Sequence, residues 1–308
     1  MRELVVAGST GLLFAYQGIR DERRDPGSWA RQLRVLSNQG FTAVDLSELW
    51  LPMADLGEAE VQQLAAAIAE TGMDVAGVSI VDIPLGNPDL QAQAQAKVRR
   101  AIGVTKRLGA AFLSLGFHAL PAPGESMPPR WTATDDGEFA RIGEALAVLA
   151  QEAAEVGIEL TLEMFERGVL DRSANVLAII AASGSDNVGA NPDLANLLRA
   201  PWPIVEDWSE TFAPLVPHLN YWHVKNGMRM SLPDGSAIYQ PTDMGSGNID
   251  YRSAIQKAIR GGFRGPLAIE HYGGDAIAQA ALGRAYLERI ISETCAFEEI
   301  QIKELSRK

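Results

Sequence analysis

Three carboxylates and one histidine of this sequence each lie in or at the end of a predicted strand. They are therefore its best candidates for a functional site. A charged side chain within a strand costs free energy unless a partner satisfies it. Three carboxylates with one imidazole suit Mn²⁺, Mg²⁺ or Co²⁺, with Zn²⁺ as an alternative. The sequence therefore predicts a site for one divalent metal ion. Its predicted ligands are Glu163, Asp193, His223 and Glu270.

Each predicted ligand also has an ordinary structural role open to it. A lone histidine at a strand end is more often hydrogen-bonded within the fold than bound to metal, and Asp193 in GANPDLAN could cap a short helix. The metal site is favoured by the joint occurrence of four such residues on four successive strand ends.

The segment 219–229, LNYWHVKNGMR, shows how a strand would present such groups. Its apolar and aromatic residues are typical of a buried strand. Successive strand residues point to opposite faces, so His223 and Lys225 should lie on the same face. Lys225 is accordingly a candidate substrate-binding residue.

Eight such strand-like runs alternate with segments of helical periodicity, without a shift in composition or a Gly/Ser linker. This pattern predicts an α/β fold, a (β/α)8 TIM barrel formed as a single domain by residues 1–308. A barrel of this kind carries its active site at the carboxyl ends of the strands. The predicted strands are 4–9, 43–49, 75–81, 112–118, 158–166, 187–194, 219–226 and 266–272.

Two long Gly/Pro-rich segments, 119–132 and 230–247, follow the fourth and seventh predicted strands. Connections of this length are commonly functional, so we expect them to enclose a substrate as lids. Trp131 would cover the substrate, although an ordered surface excursion with a packed Trp explains it equally well. His118 ends the fourth strand beside the first segment and is a further candidate for acid/base chemistry or substrate binding.

Composition excludes several classes of partner. The chain has 39 acidic and 27 basic residues, a net charge of −12, and no long basic run, which disfavours nucleic acids and anionic membranes. No segment approaches the roughly 18 apolar residues of a membrane span. The single cysteine, Cys295, rules out an intrachain disulfide and suits a reducing compartment, so we expect a cytoplasmic protein.

The motifs LTLEMFE, NPD, HVKN and GPLAIE resemble the xylose isomerase-like superfamily of TIM-barrel sugar isomerases and epimerases. Within it, they are most similar to ketose 3-epimerases of the D-tagatose 3-epimerase type. The resemblance implies the same four metal ligands and assigns substrate contact to Arg229. It also implies a divalent-metal-dependent isomerase or epimerase that acts on a small ketose or oxidised sugar through a metal-stabilised enediolate. Glu163 and Glu270 would then be the catalytic acid/base pair.

Two residues depart from the family pattern. Asn196 stands where the epimerases have a substrate-contacting histidine, and Asn226 replaces an acidic residue after Lys225. Asn196 and the nearby Glu166 remain candidates for substrate binding. Because the same metal site would stabilise an enolate formed by elimination or decarboxylation, a lyase acting on an oxo-sugar or sugar acid is the alternative function.

The sequence disfavours two other functions. An abasic-site endonuclease of this superfamily would need several zinc ions, many histidines and a basic DNA-binding face, which four histidines and the acidic charge disfavour. A barrel without catalysis, serving as a binding subunit, agrees with Asn196 but not with retention of all four ligands. A homo-oligomer or a partner subunit that completes the site remains open.

Overall fold

The computed structural model describes residues 4–15, 24–117, 137–166 and 168–305, with the backbone alone for 14–15 and 299–305. Its strands alternate with helices in the predicted manner. The strands are β1 Val6–Ser9, β2 Ala43–Ser47, β3 Asp74–Ile80, β4 Phe112–Leu115, β5 Glu159–Glu163, β6 Val188–Asn191, β7 Trp222–Val224, β8 Asn226–Ser231, β9 Ala237–Thr242 and β10 Leu267–Ile269.

Eight of these strands form one parallel sheet in the order β6-β5-β4-β3-β2-β1-β10-β7. The two end strands approach each other at a parallel bridge between Ala190 and Leu219, so the sheet is a nearly closed barrel. This arrangement confirms the predicted (β/α)8 TIM barrel. It also makes β5, β6, β7 and β10 consecutive around the barrel.

The helices surround this sheet, and several end where the sequence predicts. Gly109 and Gly157 follow α4 and α5 with φ angles of 75° and 78°, a left-handed conformation that glycine adopts without steric cost. Asp207 and Asp250 cap α7 and α8 by accepting hydrogen bonds from Ser209 N and Ser253 N. The helices are α1 Gly11–Ala15, α2 Trp29–Ser37, α3 Glu58–Ala69, α4 Gln91–Arg107, α5 Glu138–Glu155, α6 Ser173–Ser183, α7 Trp208–Leu215, α8 Tyr251–Arg260 and α9 Ala276–Leu305.

The two faces of the barrel strands have different chemistry. In β2, Val44 and Leu46 join the main hydrophobic core, whereas the alternate residue Asp45 hydrogen-bonds with side chains of other strands. Alternation of this kind follows from the period of two in a strand. The interior therefore contains polar groups and small side chains, while the outer face packs against the helices.

The segment 230–247, predicted to be a loop, differs from expectation. Much of it is a β-hairpin, in which β8 and β9 pair antiparallel with Arg229 opposite Tyr239 and Gly227 opposite Pro241. Gly235, with a φ angle of 84°, lies in the connecting turn. The sequence PDGS supplies this turn between two alternating runs, a pattern typical of hairpins.

Among the described residues, no helix is both long and apolar enough to cross a membrane.

Gly77 provides a test of interior packing. A Cβ atom at this position would lie 2.7 Å from Tyr221 Oη, and the Tyr221 ring is fully buried against Phe112. We expect Gly77→Ala to lower the free energy of unfolding by about 1–3 kcal/mol through overpacking. Gly103→Ala is the control, because nothing lies within 4 Å of its Cβ position in α4. Thermal and urea unfolding would measure both, and equal stability of Gly77→Ala and wild type would contradict this packing.

Candidate metal centre

The four predicted ligands converge at one end of the barrel. Glu163 is the last residue of β5, Asp193 follows β6, His223 lies in β7 and Glu270 follows β10. Each offers one ligating atom, and these atoms lie within 4.8 Å of one another. All four side chains are buried. The convergence arises because residues at the carboxyl ends of consecutive parallel strands share one edge of the barrel.

The hydrogen bonding of this cluster fits a bound cation. His223 Nδ1 and Asp193 Oδ1 are both buried without a hydrogen-bond partner among the described residues. Buried polar atoms in folded proteins are usually satisfied by protein, water or an ion. His223 Nδ1 faces the carboxylates, 3.2 Å from Glu163 Oε1 and 3.9 Å from Glu270 Oε1. The donor set of three carboxylates and one imidazole therefore fits one divalent ion.

Lys225 supplies a positive charge within the same cluster. Its Nζ donates to Asp193 Oδ2, and lies 2.6 Å from Glu270 Oε2. Burial opposes the charged form of Lys225, but the neighbouring carboxylates Asp193 and Glu270 raise its pKa above the ordinary value. The structure thus brings Lys225 to the same face as His223, as strand alternation predicts.

The carboxylates of Asp193 and Glu270 respond differently to this environment. Burial raises the pKa of Asp193 to about 6, although Lys225 partly opposes the increase. Burial also favours the neutral form of Glu270, but Lys225 and His223 together hold its pKa below the ordinary value. Glu270 is consequently a carboxylate at neutral pH and able to accept a proton.

Asp45 supports the histidine from the side opposite to the ligands. Its Oδ1 lies 3.6 Å from His223 Nε2, and accepts a hydrogen bond of 2.8 Å from Tyr221 Oη. Its Oδ2 accepts from Ser9 Oγ at 2.9 Å and from Ser79 Oγ at 3.3 Å. A carboxylate behind a metal-binding histidine orients the ring and increases its basicity.

The carboxylates around His223 favour its protonated form. Burial disfavours the imidazolium, but the carboxylates Glu163, Asp45 and Glu270 raise the pKa of His223 well above its usual value. Asp45 was not among the sequence predictions. The signal was present, since Asp45 interrupts the apolar run AVDLSEL just as Glu163 interrupts LTLEMFE.

Asn196 lies against the ligand set. Its Nδ2 donates to Asp193 Oδ2 at 2.9 Å and to the Met164 carbonyl at 3.0 Å. Its Oδ1 is buried without a partner among the described residues. The amide therefore fixes the carboxylate of Asp193 while it also lines the cavity in front of the site.

That cavity has a volume of about 510 Å³ and opens onto Glu163, His223, Lys225 and Glu270. The hairpin contributes to its wall, which agrees with the predicted enclosing role of segment 230–247. Aromatic and apolar side chains form much of the remaining wall, including those of Leu49, Val81, Phe165, Tyr239, Pro241 and Tyr272. A pocket with a few polar groups in an apolar wall is typical of small-molecule sites.

The arginine expected to contact substrate is not the one that the structure places at the cavity. Arg229 is not among the described residues that line it, and its Nη1 donates to the carbonyls of Leu198 and Arg199 at 3.0 and 3.1 Å. Arg199 lines the cavity instead. The side chain of Arg229 is instead engaged by the backbone that follows Asp193.

The predicted site residue Glu166 is not among the described residues that line the cavity. Glu166 is buried behind it, with Oε1 3.5 Å from Arg199 Nη1, and burial raises its pKa. His118 and Trp131 lie outside the described residues, as does the segment 119–132. Their roles stay predictions.

Metal affinity tests this assignment directly. We expect His223→Ala to abolish Mn²⁺ or Mg²⁺ binding, and Asp45→Asn to weaken it by about 10- to 100-fold, because the ring loses its orienting charge. Isothermal titration calorimetry of folded protein measures both affinities. Asp55→Asn is the control, since Asp55 pairs with Arg100 on the surface. An unchanged affinity in folded His223→Ala would contradict the site, and an unchanged affinity in Asp45→Asn would contradict the supporting role.

Comparison with known proteins identifies relatives of this fold. A xylose isomerase-like TIM barrel protein from Mycobacterium smegmatis, solved in complex with magnesium, is 27% identical with a TM-score of 0.81, and the match covers 96% of this chain and 99% of that chain. No curated protein matches this chain.

More distant structures share the fold. An L-ribulose 3-epimerase is 19% identical with a TM-score of 0.72, covering 96% of this chain and 97% of that chain. A mannonate dehydratase from Streptococcus suis is 12% identical, also with a TM-score of 0.72, covering 97% and 95%. The family model described as a xylose isomerase-like TIM barrel matches residues 33–290. This chain therefore belongs to the xylose isomerase-like TIM barrel family.

Proposed function

We propose that this protein is a divalent-metal-dependent sugar isomerase or epimerase acting on a small ketose or oxidised sugar. One observation carries the proposal: four buried ligand residues meet at a cavity of about 510 Å³, and two of their carboxylates line that cavity. A carboxylate that belongs to the ligand set and also lines the cavity would both hold the ion and exchange a proton with a bound substrate.

Glu163, Asp193, His223 and Glu270 would hold the ion. When bound, a divalent ion supplies a Lewis acid that polarises a carbonyl and stabilises negative charge on its oxygen. We take Mg²⁺ or Mn²⁺ as the best candidates because oxygen ligands predominate in the set.

Glu163 and Glu270 would transfer the proton. Both line the cavity, and they reach it from β5 and β10, which are separated by β6 and β7 around the barrel. Removal of the proton next to a carbonyl by one of these carboxylates would give an enediolate, and donation of a proton from the other, protonated glutamate to the opposite face of that carbon would complete an epimerisation.

Lys225 and the cavity wall would support this step. The ammonium of Lys225 offsets charge on Asp193 and Glu270 and also faces the cavity, where it favours an anionic intermediate. Tyr239 and Pro241 from the hairpin line the same space and would exclude water from it around a bound substrate. A dry site strengthens these electrostatic interactions.

A lyase is the second candidate. Asn196 occupies the position of the family histidine and binds Asp193 through its amide. The amide cannot act as an acid or base, whereas the other groups that stabilise an enediolate are present. Elimination of water or loss of carbon dioxide from a sugar acid would use the same site.

A small carbohydrate is accordingly the proposed ligand. We propose no nucleic-acid partner. An abasic-site endonuclease of this superfamily requires several zinc ions, whereas the four clustered residues Glu163, Asp193, His223 and Glu270 are a ligand set for one ion.

Solvent-isotope exchange tests the mechanism. With Mg²⁺ or Mn²⁺ and a panel of ketoses, oxo-sugars and sugar acids in D₂O, we expect deuterium at the epimerised carbon. Glu163→Gln and Glu270→Gln should each lower kcat by at least about 10²-fold while metal remains bound, since each removes a general acid or base. NMR and mass spectrometry measure the exchange and the products.

Glu159→Gln is the matched control for this experiment. Glu159 begins β5, at the opposite end of the strand from Glu163. Its replacement should leave kcat unchanged. A product that has lost water or carbon dioxide would overturn the isomerase assignment in favour of the lyase, and full activity of both glutamine variants would overturn both.

A further inference from the structure

We infer that Arg199 binds a carboxylate of the substrate, so that the natural substrate is a carbohydrate acid rather than a neutral ketose. This inference rests on the proposed function and narrows its substrate class. The evidence for it is the geometry of Arg199, a residue to which the family motifs give no role.

Two features fix the backbone of Arg199. It caps the short 3-10 helix Leu194–Leu198, which begins directly after the predicted ligand Asp193. Arg229 also binds this turn through hydrogen bonds from its Nη1 to the carbonyls of Leu198 and Arg199. These contacts tie the backbone of Arg199 to the turn that directly follows Asp193.

The guanidinium of Arg199 is held by aromatic rings. Its Cζ lies 4.8 Å from the ring centroid of Phe165 and 5.9 Å from that of Tyr272. Both rings line the cavity with Arg199. Contacts with aromatic rings restrain a guanidinium without using its N–H donors, which lie in the plane of the group.

Most of those donors have no protein partner. Among the described residues, the only hydrogen bond of the guanidinium is from Nη1 to Glu166 Oε1, at a long 3.5 Å. The Arg199 side chain is 27% exposed to solvent, and it lines the cavity. Since an arginine carries five N–H donors, several remain for a ligand.

The positive charge of the Arg199 guanidinium and the planar arrangement of its unpaired N–H donors favour a carboxylate as the ligand. Lys225 also lines the cavity, but its ammonium already donates to Asp193 and Glu270 beside the predicted metal ligands. Arg199 has more of its donors left for a substrate carboxylate away from that end. A guanidinium edge matches the two coplanar oxygens of a carboxylate through paired hydrogen bonds. We favour this monoanion over a phosphate ester because Arg199 stands beside buried Glu166, and one guanidinium cannot balance a dianion there.

Three ligands that differ only at one carbon test the inference. D-Fructose, D-fructuronate and D-fructose 6-phosphate share the ketose end and carry a hydroxyl, a carboxylate or a phosphate at the other. Calorimetric titration of Mg²⁺-loaded protein should give D-fructuronate an affinity about 10- to 100-fold above that of D-fructose, the range expected for a charged hydrogen-bonded pair.

Arg199 variants then assign the preference to this side chain. Arg199→Met should make the affinities for D-fructose and D-fructuronate equal, and Arg199→Lys should restore only part of the difference because an ammonium is not bidentate. Arg34→Met is the control, since Arg34 pairs with Glu70 on the surface. It should retain the wild-type preference.

The outcomes separate the inference from the proposed function. Equal affinity of wild type for D-fructose and D-fructuronate, or a preference that survives Arg199→Met, overturns the role of Arg199 while Mg²⁺ binding still supports the metal centre. Tightest binding of D-fructose 6-phosphate overturns the carboxylate assignment. Failure of wild type to bind Mg²⁺ or Mn²⁺ overturns the proposed function itself.

Discussion

The burial of three carboxylates at one end of the barrel is the constraint on which the site depends. Glu163, Asp193 and Glu270 are almost inaccessible to solvent, and their mutual repulsion in a medium of low dielectric would be costly without nearby positive charge. Lys225 and His223 supply part of that charge, and both have raised pKa values because of these carboxylates. A divalent ion would supply the rest, which explains why the cluster has unsatisfied ligand atoms.

A layer of polar residues inside the barrel connects this site to the fold. Asp45 on β2 receives hydrogen bonds from Ser9 on β1, Ser79 on β3 and Tyr221 beside β7. The long side chain of Tyr221 crosses the interior to reach it, and Gly77 leaves the space for its ring. The position of His223 therefore depends on closure of the barrel, because strands distant in sequence hold the carboxylate behind it.

The sequence was sufficient to predict the barrel and the convergence of Glu163, Asp193, His223 and Glu270 at one end of it. Alternating apolar runs gave the strands, and charged residues such as Glu163 in otherwise apolar runs marked the end that carries chemistry. The family resemblance assigned substrate contact to Arg229, whereas the structure places Arg199 at the cavity and binds Arg229 to the turn after Asp193. That difference depends on tertiary contacts between segments distant in sequence. The hairpin was missed because its Gly and Pro residues suggested a loop, although its alternation was present. The predictions for His118 and Trp131 concern residues outside the described part of the chain.

The central claim is that one divalent ion is held by residues from four consecutive strands. Anomalous diffraction from crystals grown with Mn²⁺ tests it most directly. The claim predicts one anomalous peak per chain about 2.0–2.3 Å from side-chain atoms of Glu163, Asp193, His223 and Glu270, the range of metal–ligand distances for oxygen and nitrogen donors. A crystal containing Mn²⁺ that shows no peak among these four residues, or a peak bound only by other residues, would contradict it.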